Sequence, residues 1–403
     1  MPRKSKIIKT GTYWLIGGVL FGVGLYVWIQ KKHTFRATPP AVSTSVVNPS
    51  PKEEESVSLS SRILFMGDTY WGRGVNLLAQ RSSLKESYPF SGLKEFSRDK
   101  YDAWIANLEC PSVPGVKQSY EVEVERLIFN CPSTYLGEAA KWFTAFSMAN
   151  NHSANQGPSG LNATRTALEA NKIQYFGDYN PNNLDNVCEI ITVGTRIKES
   201  DGTTKLGSLP IAMCGYHGLS VTPSDESLAT MKQYAKHMPV FAYPHMGVEY
   251  KATPSSAQTN LYHKMIDNNA DAVLGGHPHW VQPAEVYKGK LIVYSLGDFM
   301  FDQPAGETQR GAAIDLTLSL AAGATKSQII NDWLSLGANC KAFHDGCLAQ
   351  IKAKGLEKLP LTFRYDALGV TSNTTPRPAS ESDTKLILDR LNWQAIGPQI
   401  NSN

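Results

Sequence analysis

An α/β fold follows from three features of the sequence. Five apolar runs each break off at carboxylate, amide or imidazole residues, as buried strands do when they end at a polar loop. Segments 158–172, 224–237 and 255–269 lie between some of these runs and have helical composition, so the order is largely strand, helix, strand. The chain has 403 residues, 42% of them apolar and 19% charged, which suffices for a large buried core. In open α/β sheets ligands bind beyond the carboxyl ends of strands. The polar residues therefore collect where that rule puts a site.

The ends of the chain differ from its middle. Residues 1–36 hold seven Lys and Arg and no acid, which turns the overall net charge of +3 into −4 for the rest. A mildly acidic body argues against nucleic acid as partner. Residues 1–9 read as a basic tail, expected in the cytoplasm. Residues 10–30 are uncharged, enough at ~1.5 Å per residue to cross a ~30 Å hydrocarbon layer. Tyr13, Trp14, Tyr26 and Trp28 near the two ends suit the interface. No small-x-small cleavage site follows before Lys31, so the sequence predicts a retained transmembrane anchor in the lipid bilayer rather than a cleaved signal peptide. The weak excess of basic residues before the span places the main domain outside the cytoplasm. Residues 31–60, rich in Pro, Ser and Thr, read as a flexible linker.

The body divides into a domain over 61–323 and an extension over 324–403 packed on it. RILFMGD, from Arg62, ends on Gly67 and Asp68, and a helix is expected around Asn76–Phe96. Tyr101–Glu109 ends on Asn107 and Glu109, and Phe143–His152 on Asn150, Asn151 and His152. Val240–Tyr250 passes through His245 to Glu249, and Ala272–Leu274 stops at two glycines before His277, Pro278 and His279. Lys290–Tyr294 and Gly311–Leu320 read as further strands. Beyond them we expect a helix at Ser327–Leu336, a strand at Leu359–Tyr365, a loop over 367–380, a helix at Glu381–Trp393 and a loose end. Of six cysteines, Cys340 and Cys347 form the nearest local pair, with free buried thiols as the alternative.

A lone His-x-His is usually a pair of hydrogen-bonded surface residues, and a lone Gly-Asp is an ordinary turn. Five strand ends carrying Asp, Glu, Asn, His and His-x-His in one chain make a metal site the economical explanation. His33, His217, His237, His263 and His344 are left as structural or surface residues.

FMGDTYWGRGV, NLECP, ANNHSANQG, HMGVEY and GGHPHWVQPAEVYKGKLIVYSLGDFMFD, in that order over about residues 62–305, resemble the capsule-biosynthesis CapA family, linked to poly-γ-glutamate synthesis and export. That family is related to the calcineurin-like metallophosphoesterases. The resemblance implies a four-layer α/β/β/α sandwich with two divalent metal ions, Mn, Fe or Zn. It implies Asp68, Glu109, Asn151, His245, His277 and His279 as ligands, His152 as general acid or base, and Arg73 as the holder of an anionic group. Asn107, Asn150, Glu249 and Asp298 remain as substrate-binding candidates. The partners implied are membrane-bound polyglutamate synthase or export subunits and an anionic polymer. Three departures stand out: Asp68 is followed by Thr69 and Tyr70 instead of completing Asp-x-His, Asp298 ends a Ser-Leu-Gly motif that the family commonly completes with Asn, and Met246 replaces the usual Trp. The functions that fit are a metal-dependent hydrolase, a non-catalytic polymer-binding or assembly subunit and, on fold analogy alone, a general phosphoesterase.

Overall fold

The computed structural model describes residues 57–304, 306–342 and 346–402. The expected basic tail, span 10–30 and nearly all of the linker lie outside these residues. Among the described residues no helix is long and apolar enough to cross a membrane.

Fourteen strands form one continuous, branched sheet in a mixed α/β fold. They are β1 (Ser58–Thr69), β2 (Ala103–Leu108), β3 (Ala145–Ser147), β4 (Gln174–Phe176), β5 (Cys188–Lys198), β6 (Thr204–His217), β7 (Val240–His245), β8 (Ala272–Leu274), β9 (Val281–Tyr287), β10 (Lys290–Leu296), β11 (Asp298–Met300), β12 (Arg310–Leu320), β13 (Thr362–Thr371) and β14 (Arg377–Pro378). The branch point is β1. One of its edges pairs with β12. Its other edge pairs first with β5, at Ser58–Ser60, and then with β2, from Ile63 onward. One limb therefore runs β4-β3-β2-β1-β12-β13-β14 and the other β5-β6-β7-β8-β10-β9.

The limbs fold over each other because β1 is apolar on both faces. Ile63 and Phe65 join one buried cluster and the alternate residues Leu64 and Met66 another, as the two-residue period of a strand requires. β1 and β7 are three strands apart along the hydrogen-bonded path, about 14 Å in a flat sheet. Yet the rings of Phe65 and Phe241 lie 5.3 Å apart, so these limbs meet face to face. Helix Gly157–Ala170 buries Leu161 and Leu168 against the far side of the first limb, in the cluster of Leu64 and Met66. Helix Ser256–Asp267 buries Leu261, Tyr262 and Met265 beside β8 and β10.

Several elements differ from the sequence reading. The region around Asn76–Phe96 is a helix only over Arg73–Arg81, followed by short 3-10 turns. The hairpin β5–β6 was not expected: Gly194, Gly207 and Pro210 dilute its pattern, and only eleven registered pairs make it a ladder. β13 runs on through 367–371, where a loop was expected, because ten of its residues pair with β12. The extension is thus part of the same sheet. The end of the chain is not loose: Trp393–Ile400 is a helix whose Ile396 and Ile400 are buried.

All six cysteines are paired, as Cys110–Cys131, Cys188–Cys214 and Cys340–Cys347, where only the last pair was singled out from the sequence. Cys110 follows Glu109 directly, so its bridge ties the end of β2 to the segment that contacts Trp71. We expect the Cys110→Ser/Cys131→Ser variant to lose about 2–4 kcal/mol of stability, measured by urea unfolding. Unchanged stability would show that the bridge constrains nothing essential.

Candidate metal centre

Strand direction assembles the site. β1, β2 and β3 are mutually parallel, β6 runs parallel to β1 through the antiparallel β5 between them, and β7, β8 and β10 continue in that direction. Their carboxyl ends share one pole. Asp68 near the end of β1, Glu109 after β2, His245 ending β7, His277 and His279 after β8, and Asp298 after β10 all reach it. Close backbone approach makes room for them. A Cβ on Gly276 would stand 2.7 Å from Asp68 Oδ1, and one on Gly275 2.3 Å from the Tyr294 carbonyl oxygen. His277 and His279 have φ of +93° and +58°, conformations that cost non-glycine residues on the order of 1–3 kcal/mol each and persist where packing enforces them.

Asp68 is fully buried and is the hub. Its Oδ1 accepts from Asn107 Nδ2 at 2.8 Å and its Oδ2 from the His277 amide at 2.9 Å. Two groups of potential ligands share it: Asp68 with Glu109 and His245, and Asp68 with His279 and Asp298. Within each group one ligand atom from every residue lies within 4.8 Å of the others. Asn151 Oδ1 accepts from His245 Nε2 at 2.9 Å, which places the amide beside the first group. His277 lies against the same group, its ring centroid 4.9 Å from that of His245.

The residues fit cations better than they fit one another. Glu109 Oε2, His277 Nδ1 and Asp298 Oδ2 are buried with no hydrogen-bond partner among the described residues, and such orphans are rare unless something binds them. Burial, then the neighbouring Asp68, pushes the Glu109 carboxyl well above its ordinary range. Burial also raises Asp68, but His245, His279 and the His277 amide outweigh it and hold that carboxyl below the usual range. Burial lowers His277 to about 2. It opposes the charging of His279 too, yet Asp298 and Glu109 raise that imidazole to about 10. Opposed shifts among packed neighbours mark a site short of positive charge.

Asp298 has a more specific place than substrate binding. Its Oδ1 accepts from His279 Nδ1 at 2.7 Å, leaving His279 Nε2 directed toward Glu109, 3.9 Å from Oε1. A carboxylate that fixes a histidine in this way sets its tautomer and ring orientation for a metal. Asp298→Ala is expected to weaken metal affinity about 10–100-fold, read by competition with a chromogenic chelator. An unchanged affinity would remove Asp298 from the site.

Asn107 and Asn150 are also oriented inward. Asn107 is buried and holds Asp68, while its own Oδ1 accepts from Asn150 Nδ2 at 2.9 Å. Asn150 is buried as well, donates to the Leu108 carbonyl and accepts from the His152 amide. Both support ligands and leave no amide for substrate. Arg73 is likewise engaged: its Nη2 lies 2.5 Å from Asp302 Oδ1 and its Nε 3.2 Å from Oδ2, with Tyr70, Phe129 and Phe301 around the guanidinium. Glu249 is exposed at the mouth, beside Tyr250, whose ring stacks on His279.

His152 lies next to Asn151 and stacks on Phe129 at 3.9 Å. Asn155 Oδ1 accepts from the Phe129 amide at 2.8 Å and lies 2.9 Å from His152 Nδ1. The imidazole Nδ1 therefore carries the proton and Nε2 keeps its lone pair. Burial lowers this group to about 4. The sequence reading missed His217, which ends β6 in register with His245. Its Nδ1 donates to the Tyr179 carbonyl, and its buried Nε2 has no partner among the described residues. The run MCGYH has the same form as VFAYPH, and a strand there would have shown it. The Arg73 partners Asp302 and Glu123 were missed as well.

Comparison with known proteins bears on this geometry. The capsule biosynthesis protein CapA of Bacillus anthracis is 27% identical over 278 residues, 66% of this chain and 65% of that protein. The PGA biosynthesis protein CapA of Bacillus subtilis (strain 168) is 30% identical over 194 residues, 44% of this chain and 47% of that protein. The chain thus spans less than two thirds of either relative's length. The crystal structure of TT1561 of Thermus thermophilus overlaps 63% of this chain and 93% of that one at 11% identity, and its TM-score of 0.32 is too low to carry an argument. The profile of the bacterial capsule synthesis protein PGA_cap matches residues 62–303, which include every residue of the centre just described. That match covers more than half of the chain, and the chain belongs to this family of capsule synthesis proteins.

Proposed function

We propose that this chain is a metal-dependent hydrolase of poly-γ-glutamate capsule biosynthesis, anchored in the membrane through residues 10–30 with its folded domain outside the cytoplasm. The observation that carries the reading is the pair of buried ligand groups sharing Asp68, with three orphaned ligand atoms among them. The folded-over sheet with helices on its outer faces supports kinship with the metallophosphoesterases. The three disulfides suit an oxidising compartment outside the cytoplasm.

Asp68, Glu109, Asn151, His245, His277 and His279 would hold two divalent ions, with Asp298 orienting His279. Bound there, such ions supply a hydroxide at neutral pH and a positive clamp for the oxygen on which charge develops. The chain's own residues do the rest. Asn107 and Asn150 fix Asp68 and the His152 amide, so the ligands are preorganised before substrate arrives. His152, neutral with its proton on Nδ1, offers Nε2 to take a proton and return it to the leaving group. The substrate we assign is an amide of the polymer or a phosphoester linked to its synthesis.

One observation favours the second reading, a polymer-binding or assembly subunit without turnover. Arg73, the cation expected to receive an anionic group, is already paired with Asp302. The readings separate in one experiment: the metal-loaded chain is incubated with poly-γ-glutamate and with an aryl phosphodiester. Shortened polymer or released phenol supports the hydrolase. No turnover of either, with two ions bound, favours the assembly subunit.

A further inference from the structure

The strand starts form the pole opposite the metal centre, and a second charged feature lies there. Asp271, just before β8, is 5% exposed and accepts three hydrogen bonds: from the Val240 amide at 2.9 Å, from Lys290 Nζ at 2.8 Å and from Lys358 Nζ at 2.6 Å. Two ammonium groups thus share one carboxylate. Each has three N–H donors and spends one on Asp271. Among the described residues neither has another acceptor. A third lysine, Lys288, pairs with Asp267, leaving the cluster one positive charge in excess. These groups line a cavity of 510 Å³ together with Ala235, Ile266 and Asn269. That volume is in the range of small-ligand sites. Phe363 lies beneath both Lys290 and Lys358, at 5.8 Å and 5.9 Å from the two nitrogens, and keeps the ammonium groups near the cavity.

The geometry points to this cavity as a binding site for a polycarboxylate segment, which on the function proposed above is a stretch of the glutamate polymer distinct from the one at the metal centre. An ammonium with unspent donors beside a carboxylate it shares is under-neutralised, and a ligand carboxylate supplies both the missing charge and the missing acceptors. Residues 290–298 separate the two poles by roughly 25 Å at the rise of a strand. A flexible polyanion held at the lysines therefore has a local concentration at the cleft that a free one lacks. Val57, where the described chain begins, precedes β1 at this same pole. With residues 10–30 as anchor, the lysine cavity faces the membrane from which a growing polymer would emerge.

The test is fluorescence anisotropy of a labelled γ-linked glutamate decamer with the full chain in detergent at low salt. Lys288→Gln/Lys358→Gln is expected to weaken binding about tenfold or more, and Asp271→Asn to strengthen it, because the two ammonium groups lose their internal counter-charge. His277→Ala/His279→Ala is expected to leave the lysine-dependent binding in place. Lys288→Glu, on an exposed side chain paired only with Asp267, gives the same readout should the double variant fail to fold. Binding unaffected by the lysine variants overturns the site, as does binding lost only in the histidine variant. Binding of inorganic phosphate at the lysines without binding of the decamer overturns the polymer assignment. Lysine-dependent binding in a chain that hydrolyses nothing upholds this site and refutes the hydrolase alone.

Discussion

Replacing His152 with alanine is expected to lower hydrolysis by about 100-fold or more while leaving the bound metal in place. The imidazole is held from behind by Asn155 and Phe129 and makes no hydrogen bond to a ligand, so its loss empties no coordination position. The substitution removes a partly buried ring, and a small loss of stability on the order of 1 kcal/mol follows from the lost stacking. Turnover and metal content are measured on the same preparation. Full activity in His152→Ala would exclude it as the proton carrier. Unchanged polymer export in cells carrying the variant would refute catalysis as the protein's contribution.

Replacing Asp68 with alanine is expected to abolish binding of both ions together. Asp68 belongs to both ligand groups, whereas Glu109 and His245 belong to one and His279 and Asp298 to the other. Glu109→Ala is therefore expected to lose one ion and keep the second. Asp68→Ala also strips acceptors from the Asn107 side chain and the His277 amide, which costs about 1–3 kcal/mol for each donor left buried and unpaired. Asp68→Asn limits that cost by keeping the shape and one acceptor, and it is still expected to lose both ions because the shared charge is gone. Retention of one ion by Asp68→Asn would show that the two groups do not share this residue.

The residues of the centre were legible where a local pattern exposes them. Asp68, Glu109, His245, His277 and His279 each stand at or just beyond the end of a run that the chain must bury, and strand direction then brings such ends together. What they do once there was less legible. Asn107 and Asn150 look like any polar residue at a strand end, and only the fold shows that their amides point at Asp68 and at the backbone instead of at solvent. Arg73 reads as a free cation because Asp302 lies 229 residues away in sequence. His217 was hidden with its strand, since the polar tip of the β5–β6 hairpin breaks the alternation that would have revealed β6. The pairing of Cys110 with Cys131 was out of reach for a different reason, because six cysteines permit 15 connectivities and spacing does not choose among them. The terminal helix Trp393–Ile400 contains Gly397 and Pro398, poor helix formers that burial of Ile396 and Ile400 overrides.

The most direct measurement is the metal content of the full chain by elemental mass spectrometry, after purification and again after incubation with Mn, Fe or Zn. Two ions per chain, both lost in Asp68→Asn, are the expected result. A well-folded chain that takes up no divalent ion under any of these conditions would contradict the binuclear centre, and the buried carboxylates and histidines would then serve the fold alone.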